Sequence, residues 1–294
     1  MEKIKNSRPK SFLMIALVYL VAICGGIIIY DMLPFNFAVN LLIADIVATL
    51  ITFLYSVVLE NASVYDPYWS VAPIVIVCYE AFTCGFNFVS TLIFIAIMLW
   101  GIRLTLNWAY TFKNLTHQDW RYTMLNEKTG RMYPLINLLG IHMFPTIVVY
   151  LCMLPTIFAF TSELSFNYGS LFFFLVSICA IILQGVSDFQ MHKYRKNKNG
   201  TFIRNGLWRY SRHPNYLGEI VMWWGVFGMV VCALPNMWYL FAGAFINTLM
   251  FLIVSIPMQD KRQSKKEGFE IYKKETRALF PIKKFVNNAN SQKN

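Results

Sequence analysis

Residues 12–30 read Phe12-Leu-Met-Ile-Ala-Leu-Val-Tyr-Leu-Val-Ala-Ile-Cys-Gly-Gly-Ile-Ile-Ile-Tyr30, a run without a single charge. A helix that crosses a bilayer needs about 20 apolar residues, and this run meets that length. Lys3, Lys5, Arg8 and Lys10 precede it, as basic residues precede the apolar core of a secretory signal. No small-x-small cleavage site follows it, whereas more apolar stretches do, so it reads as a retained first span. Outward from it lie stretches at about 37–59, 70–84, 86–108, 135–160, 168–187, 217–233 and 237–257. Those at 70–84 and 217–233 are short for a crossing. Over the whole chain of 294 residues, 57% are hydrophobic and 14% charged, against roughly 45–50% and about 25% in soluble domains. A soluble enzyme, a disordered chain and a disulfide scaffold are excluded. The net charge of +11 would suit a nucleic-acid binder, but the mean hydropathy of +0.48 does not. The expected fold is an all-α polytopic transmembrane helical bundle of about eight spans, with seven as the alternative count.

The positions of the charges choose between the two counts. Of 26 Lys and Arg, 25 lie in four segments, 1–11, 109–134, 188–216 and 258–294, and the remaining one is Arg103. The connections at 31–36, around 85, at 161–167 and at 234–236 contain none. Basic connections stay on the cytoplasmic side of a membrane. Eight spans with both termini in the cytoplasm put all four basic segments there, and seven cannot. The expected organisation is therefore a tail at 1–11, a single membrane domain at 12–286 and a frayed end at 287–294.

Cysteine and histidine contribute little. Cys24, Cys78, Cys84, Cys152, Cys179 and Cys232 lie in or beside apolar stretches, with no C-x-x-C pair and no ligand spacing to a histidine. No metal site is expected. No phosphate-binding glycine loop of the Rossmann or Walker kind is present either.

Chemistry concentrates in three places. The first is Gly206-Leu-Trp-Arg-Tyr-Ser-Arg-His-Pro-Asn-Tyr-Leu-Gly-Glu219, a basic loop entering a span. Pro214 suits the first turn of a helix. Arg212 and His213 then crowd the positive end of its dipole, where an anion would relieve them. Asn215, Glu219 and Trp223 share one face, and a carboxylate in a span usually faces a cavity or a partner. A basic loop resting on lipid headgroups is the simpler alternative. The second is Gln184, Asp188 and Arg195, which fall within about 40° of one another around a helix. An ion pair on a solvated face, or ribose and phosphate contacts, would both explain that stripe. The third is Val64-Tyr-Asp-Pro-Tyr-Trp69, with Asp66 among aromatics. An interfacial aromatic belt around a turn is one reading; a proton donor is the other. Arg103 requires a carboxylate or carbonyl partner, and Asp45 and Glu80 each require a partner or a cavity wall.

The Gly206–Glu219 run resembles an integral-membrane family of uncharacterised bacterial proteins related to the C-terminal domain of steroid 5-alpha-reductases. Ser255-Ile-Pro-Met-Gln-Asp-Lys-Arg262, Gly268-Phe-Glu-Ile-Tyr272, Ala278-Leu-Phe-Pro281, Tyr65-Asp-Pro-Tyr-Trp69 and His117-Gln-Asp-Trp-Arg-Tyr122 fit the same likeness. It runs from about residue 60 onward, with the reductase-like part at about 135–286. The resemblance implies a bacterial cell-membrane protein that takes NADPH from the cytoplasmic side and reduces an activated C=C bond (an enone) of a lipid-like or steroid-like molecule. By it, Gln184, Asp188, Arg195, Arg212, His213, Asn215, Tyr216, Glu219 and Arg262 look like cofactor contacts, with Arg121 a weaker one. Asp66, helped by Tyr65 or Arg103, stands loosely where the reductases carry their catalytic Glu, while Trp100 replaces their Tyr. The Arg-His-Pro-x-Tyr-x-Gly pattern also resembles isoprenylcysteine carboxyl methyltransferases, which use S-adenosylmethionine. Their usual paired glutamates after the last span are replaced here by Gln259-Asp260-Lys261-Arg262, so methyl transfer is the second expectation. A non-enzymatic protein that binds membrane lipids is the third. Beyond a lipid-like substrate and membrane lipids no partner is expected, nucleic acid included, and the oligomeric state is invisible in the sequence.

Overall fold

The computed structural model describes residues 2–197 and 201–281; the expected frayed end at 287–294 lies outside them. Among these residues the chain is helical and has no strand, only an isolated parallel bridge between Ser211 and Arg277. In chain order the main helices are α1 (Arg8–Met32), α2 (Phe37–Val58), α3 (Tyr68–Cys84), α4 (Phe88–Thr111), α5 (Trp120–Thr161), α6 (Tyr168–Asn197), α7 (Pro214–Ala233), α8 (Pro235–Gln263) and α9 (Phe269–Glu275). All but α3 and α9 are long and apolar enough to cross a membrane, which makes seven among the described residues. The helices group into two compact units, one of residues up to Asn167 with Val230–Gly243, the other of Tyr168–Met229 with the chain from Ala244 on.

In the first unit α1 packs along α2, and α3 packs along α4 and α5. Hydrogen bonds tie the helix ends into two groups. At one end Lys5 Nζ lies 3.3 Å from Glu60 Oε2, Arg8 Nη2 donates to the Ala109 carbonyl at 3.0 Å, and Asn61 Nδ2 donates to the Leu115 carbonyl at 2.6 Å. At the other, Asn40 Nδ2 donates to the Leu33 carbonyl at 2.9 Å, and Asn87 Nδ2 to the Ala159 and Ser162 carbonyls at 2.6 and 2.9 Å. Asn87 also caps α4 through the Ser90 amide. The 17-residue α3 starts beside Asn61 and ends beside Asn87, so it runs between the same two ends as its longer neighbours.

Residues 109–134, read from sequence as a connecting loop, are largely helical. Asp119 accepts from the Arg121 amide at 2.9 Å and so caps α5 ten residues and more before its apolar part begins. Gly130, at φ +49°, tightens the helix into a 3-10 turn, and Asn137–Met143 then widen it to π geometry.

In the second unit α6 and α7 approach backbone to backbone. A Cβ on Gly225 would stand 2.0 Å from Ser177 Oγ and 3.1 Å from the Phe173 carbonyl, and one on Gly218 would stand 2.7 Å from the Ala180 carbonyl. Ser170 Oγ donates to the Met229 carbonyl at 2.6 Å across the same seam. Small residues that admit a neighbouring backbone are the usual adhesive between membrane helices. Beyond the apolar part, the connection after α6 and the chain after α8 fold onto each other. Trp208 Nε1 donates to the Ser187 carbonyl at 3.2 Å, the Tyr272 hydroxyl donates to the Trp208 carbonyl, and Phe202, Phe269 and Tyr272 form a small core around α9.

Candidate functional site

The sequence expectation that a helix starts at Pro214 holds in the structure. Just before it, the chain makes a two-residue ladder: the Arg212 amide donates to the Arg277 carbonyl and the His213 amide to the Ala278 carbonyl, both at 3.0 Å. That ladder buries the side chains of Arg212 and His213 against Asp260 near the end of α8. Arg212 Nη2 donates to Asp260 Oδ2 at 2.7 Å, and His213 Nε2 lies 3.0 Å from Asp260 Oδ1. Arg212 Nη1 also donates to the Thr276 carbonyl. The three side chains are less than a tenth exposed. The sequence reading counted Arg212 and His213 among the phosphate-binding cations; in the structure they clamp Asp260. Tyr216 lies flat on the His213 ring, 5.2 Å between centroids, and packs on Phe251.

The clamp fixes the end of α8, and Arg262 lies two residues beyond Asp260. Arg262 and Arg195, the latter near the end of α6, are exposed. Both lie close enough to Lys266 that its ammonium is pushed below the usual lysine range, by partial burial first and then by the Arg262 and Arg195 charges. Two stretches some seventy residues apart thus bring their cations within electrostatic reach of Lys266. Lys266 was missed from sequence because it sits in a run of polar residues with no periodic pattern.

Along α6 towards the apolar part, Asp188 is half-buried and Gln184 is buried. Gln184 Cγ occupies the space a Gly218 side chain would need, at 2.5 Å, so the stripe on α6 meets the first turns of α7. There Asn215 Oδ1 is enclosed and accepts no hydrogen bond. Glu219, buried, accepts from Trp223 Nε1 at 2.9 Å, the i, i+4 face read from the sequence. Gln184, Asp188 and Arg195 therefore share one stripe with Asn215 and Glu219 beside its upper part.

The remaining candidates belong to the first unit. Asp66 follows a 3-10 turn, Ala62–Tyr65, and its Oδ1 accepts from the Tyr122 hydroxyl at 2.7 Å. Burial pushes the carboxyl up to about 6, while the charge of Arg121 and the Tyr122 hydrogen bond hold it down. Arg121 is paired with Asp119 at 2.8 Å and stacks over the Tyr122 ring. It belongs to this cluster of the first unit. The hydroxyl of Tyr65 bonds Thr146 Oγ1 at 2.7 Å, so Tyr122, and not Tyr65, is the phenol at the Asp66 carboxylate. Tyr122 ends the His117–Tyr122 run, which carried the only sequence signal for it. Beside Tyr65 lies the ring of His142, whose Nδ1 bonds the Asn137 carbonyl at 2.9 Å while Nε2 is buried without a hydrogen-bond partner. Arg103 sits half-buried within α4. Among the described residues no group of three His, Cys, Asp or Glu could hold a metal ion.

Fold and site define a multi-pass integral membrane protein with a basic-and-amide site in its second unit and a buried carboxyl–phenol cluster in its first. The chain belongs to the family described as "Protein of unknown function (DUF1295)", which it matches over residues 52–276. It is similar to "Uncharacterized protein C594.04c" of Schizosaccharomyces pombe, at 27% identity over 70% of this chain and 68% of that protein. No solved structure matches it significantly.

Proposed function

We propose that this protein is an NADPH-dependent membrane oxidoreductase that reduces the activated C=C bond of a lipid-like or steroid-like enone. The observation that carries the reading is the gathering of Arg195, Arg262 and Lys266 at the polar end of the Gln184–Asp188 stripe. Three cations so arranged suit a polyphosphate ligand. The residues fit the dinucleotide part by part. The three cations would hold phosphates, Asp188 would accept from a ribose hydroxyl, and Asn215 with Glu219 and Gln184 would meet the nicotinamide amide. Bound NADPH would supply a hydride. The chain's own contribution is to hold these groups in place: Asp260 clamps Arg212 and His213 and so fixes the end of α8 that carries Arg262. In the first unit, Asp66 holds its proton to higher pH than an ordinary carboxyl does and is the chain's candidate acid. A well-placed donor of that kind lowers the barrier by roughly 3–4 kcal/mol. The kinship with steroid 5-alpha-reductases suggested by the Arg212–Glu219 motif belongs to this proposal, as does the cytoplasmic facing of the basic segments in a bacterial membrane.

The test is ligand-dependent melting of the purified protein in detergent. NADPH at a hundredfold over its Kd is expected to stabilise by about 2.7 kcal/mol. Arg195→Ala and Lys266→Ala should weaken NADPH binding more than NADH binding, since the two ligands differ by one phosphate. Stabilisation by S-adenosylmethionine alone would refute the reductase reading in favour of methyl transfer. No shift with any nucleotide would leave a lipid-binding protein.

A further inference from the structure

In the first unit, α1 and α3 face each other across a cleft of about 350 Å³ whose floor is α2. Small side chains line part of it, Ala44 and Ala48 on α2 and Ala72 on α3, and Gly26 lets α1 close on the α2 backbone. Two aromatic pairs bridge its ends, Tyr19 with Tyr68 at 5.8 Å and Tyr30 with Tyr79 at 5.0 Å between ring centroids. Tyr19 and Tyr30 are eleven residues apart on one helix, so the space between the bridges is about 16 Å long. Its mouth lies at Ile27, Cys78 and Phe82, all exposed residues on the apolar flanks of α1 and α3. Its exposed rim is therefore apolar.

One lining group does not match that environment. Asp45, in the middle of α2, is 8% exposed, and what exposure it has is towards the cleft. Tyr68 donates to Asp45 Oδ1 at 2.7 Å, which satisfies one carboxyl oxygen and orients the other group of lone pairs. Tyr19, the remaining phenol at this end, is spent on the Val64 carbonyl at 2.7 Å. A carboxyl kept at this depth is costly and tends to mark a ligand or ion path. The volume is at the small end of the range for ligand pockets. It suits one ring system or one chain, and not a two-chain phospholipid.

We infer that the α1–α2–α3 cleft binds a single apolar lipid alcohol, a sterol or an isoprenoid, with its hydroxyl donating to Asp45 and its body lying between the two tyrosine bridges. This assignment needs nothing from the nicotinamide reading and stands or falls apart from it.

The experiment is photolabelling of the full-length protein in detergent with a diazirine-bearing cholesterol, followed by peptide mapping. Labels are expected on the facing surfaces of α1 and α3. Unlabelled cholesterol should compete at least tenfold better than cholestane, which lacks the hydroxyl, and Asp45→Leu should abolish that preference. Ala72→Phe, which fills the cleft without touching the carboxyl, should reduce labelling at least fivefold. Leu106→Phe, on an exposed face of α4, should leave it unchanged. Stronger competition by geranylgeraniol than by cholesterol would assign the cleft to a chain alcohol and support the same chemistry. Labels spread over the exposed faces of all helices, equal competition by cholestane, or full labelling of Ala72→Phe would each overturn the inference. So would equally strong labelling of the cleft by a diazirine phospholipid, which would make it a groove for bulk lipid.

Discussion

Asp66 shows how much one carboxyl depends on its neighbours. Its pKa is raised from an ordinary 3.8 to about 6, because burial disfavours the charged form more than Arg121 and Tyr122 favour it. The folded state therefore binds the proton more tightly than the unfolded one. The contribution of this group to stability is present at low pH and is lost as the pH rises from about 4 through about 6. A proton donor obeys the same sign: activity that depends on protonated Asp66 should fall above about pH 6. Infrared difference titration should show a protonated-carboxyl band with a midpoint near 6 that Asp66→Asn removes. Tyr122→Phe should move that midpoint upward, since the lost hydrogen bond stabilised the anion; an unchanged midpoint would deny the phenol its role. At this scale the sequence was a partial guide. It singled out Asp66 through its aromatic setting, but Tyr122 lies 56 residues away in the chain, and only folding shows that it, rather than Tyr65, reaches the carboxyl. The same holds for Arg212 and His213. Their charge was legible, and the partner that occupies it, Asp260, was not.

The helices obey local rules where those rules are sufficient. Pro214 starts α7, asparagines cap α2 and α4, and Glu219 and Trp223 meet at i, i+4 as spacing requires. Glycines are different, because a helix tolerates them anywhere at a modest price and only the neighbour decides their meaning. Gly225 faces the backbone of α6 with no space for a methyl group, whereas a Cβ on Gly140 would meet only Ile136 at 3.8 Å. The same substitution should therefore act in opposite directions. Gly225→Ala is expected to lower the melting temperature in detergent, by overpacking worth about 1–3 kcal/mol. Gly140→Ala should be neutral or raise it, since alanine favours helix by up to about 1 kcal/mol over glycine. A Gly225→Ala protein that melts like the parent would mean that α6 and α7 do not lie in backbone contact.

For the molecule as a whole, the count of crossings turns on α3. Hydrophobic length alone admits seven helices, and with seven the tail around Asn6 and the connection around Asn114 would lie on opposite sides of the membrane. In the structure Asn114 Nδ2 donates to the Asn6 carbonyl at 3.2 Å, which places both at one end of the first unit, as four traverses by α1 to α4 would require. In a variant with its native cysteines replaced, Asn6→Cys and Asn114→Cys should react with an impermeant maleimide from the same side, and Phe35→Cys from the other. Reaction of Asn6→Cys and Asn114→Cys from opposite sides would show that α3 does not cross. The all-helical membrane class and the positions of the apolar stretches follow from sequence by itself, because transfer into hydrocarbon acts residue by residue and adds along the chain. The clamp on Asp260, the cationic group around Lys266 and the cleft beside Asp45 were decided by tertiary structure alone. Each depends on side chains distant in sequence meeting at a few ångströms, and no local pattern encodes which helix faces will be neighbours.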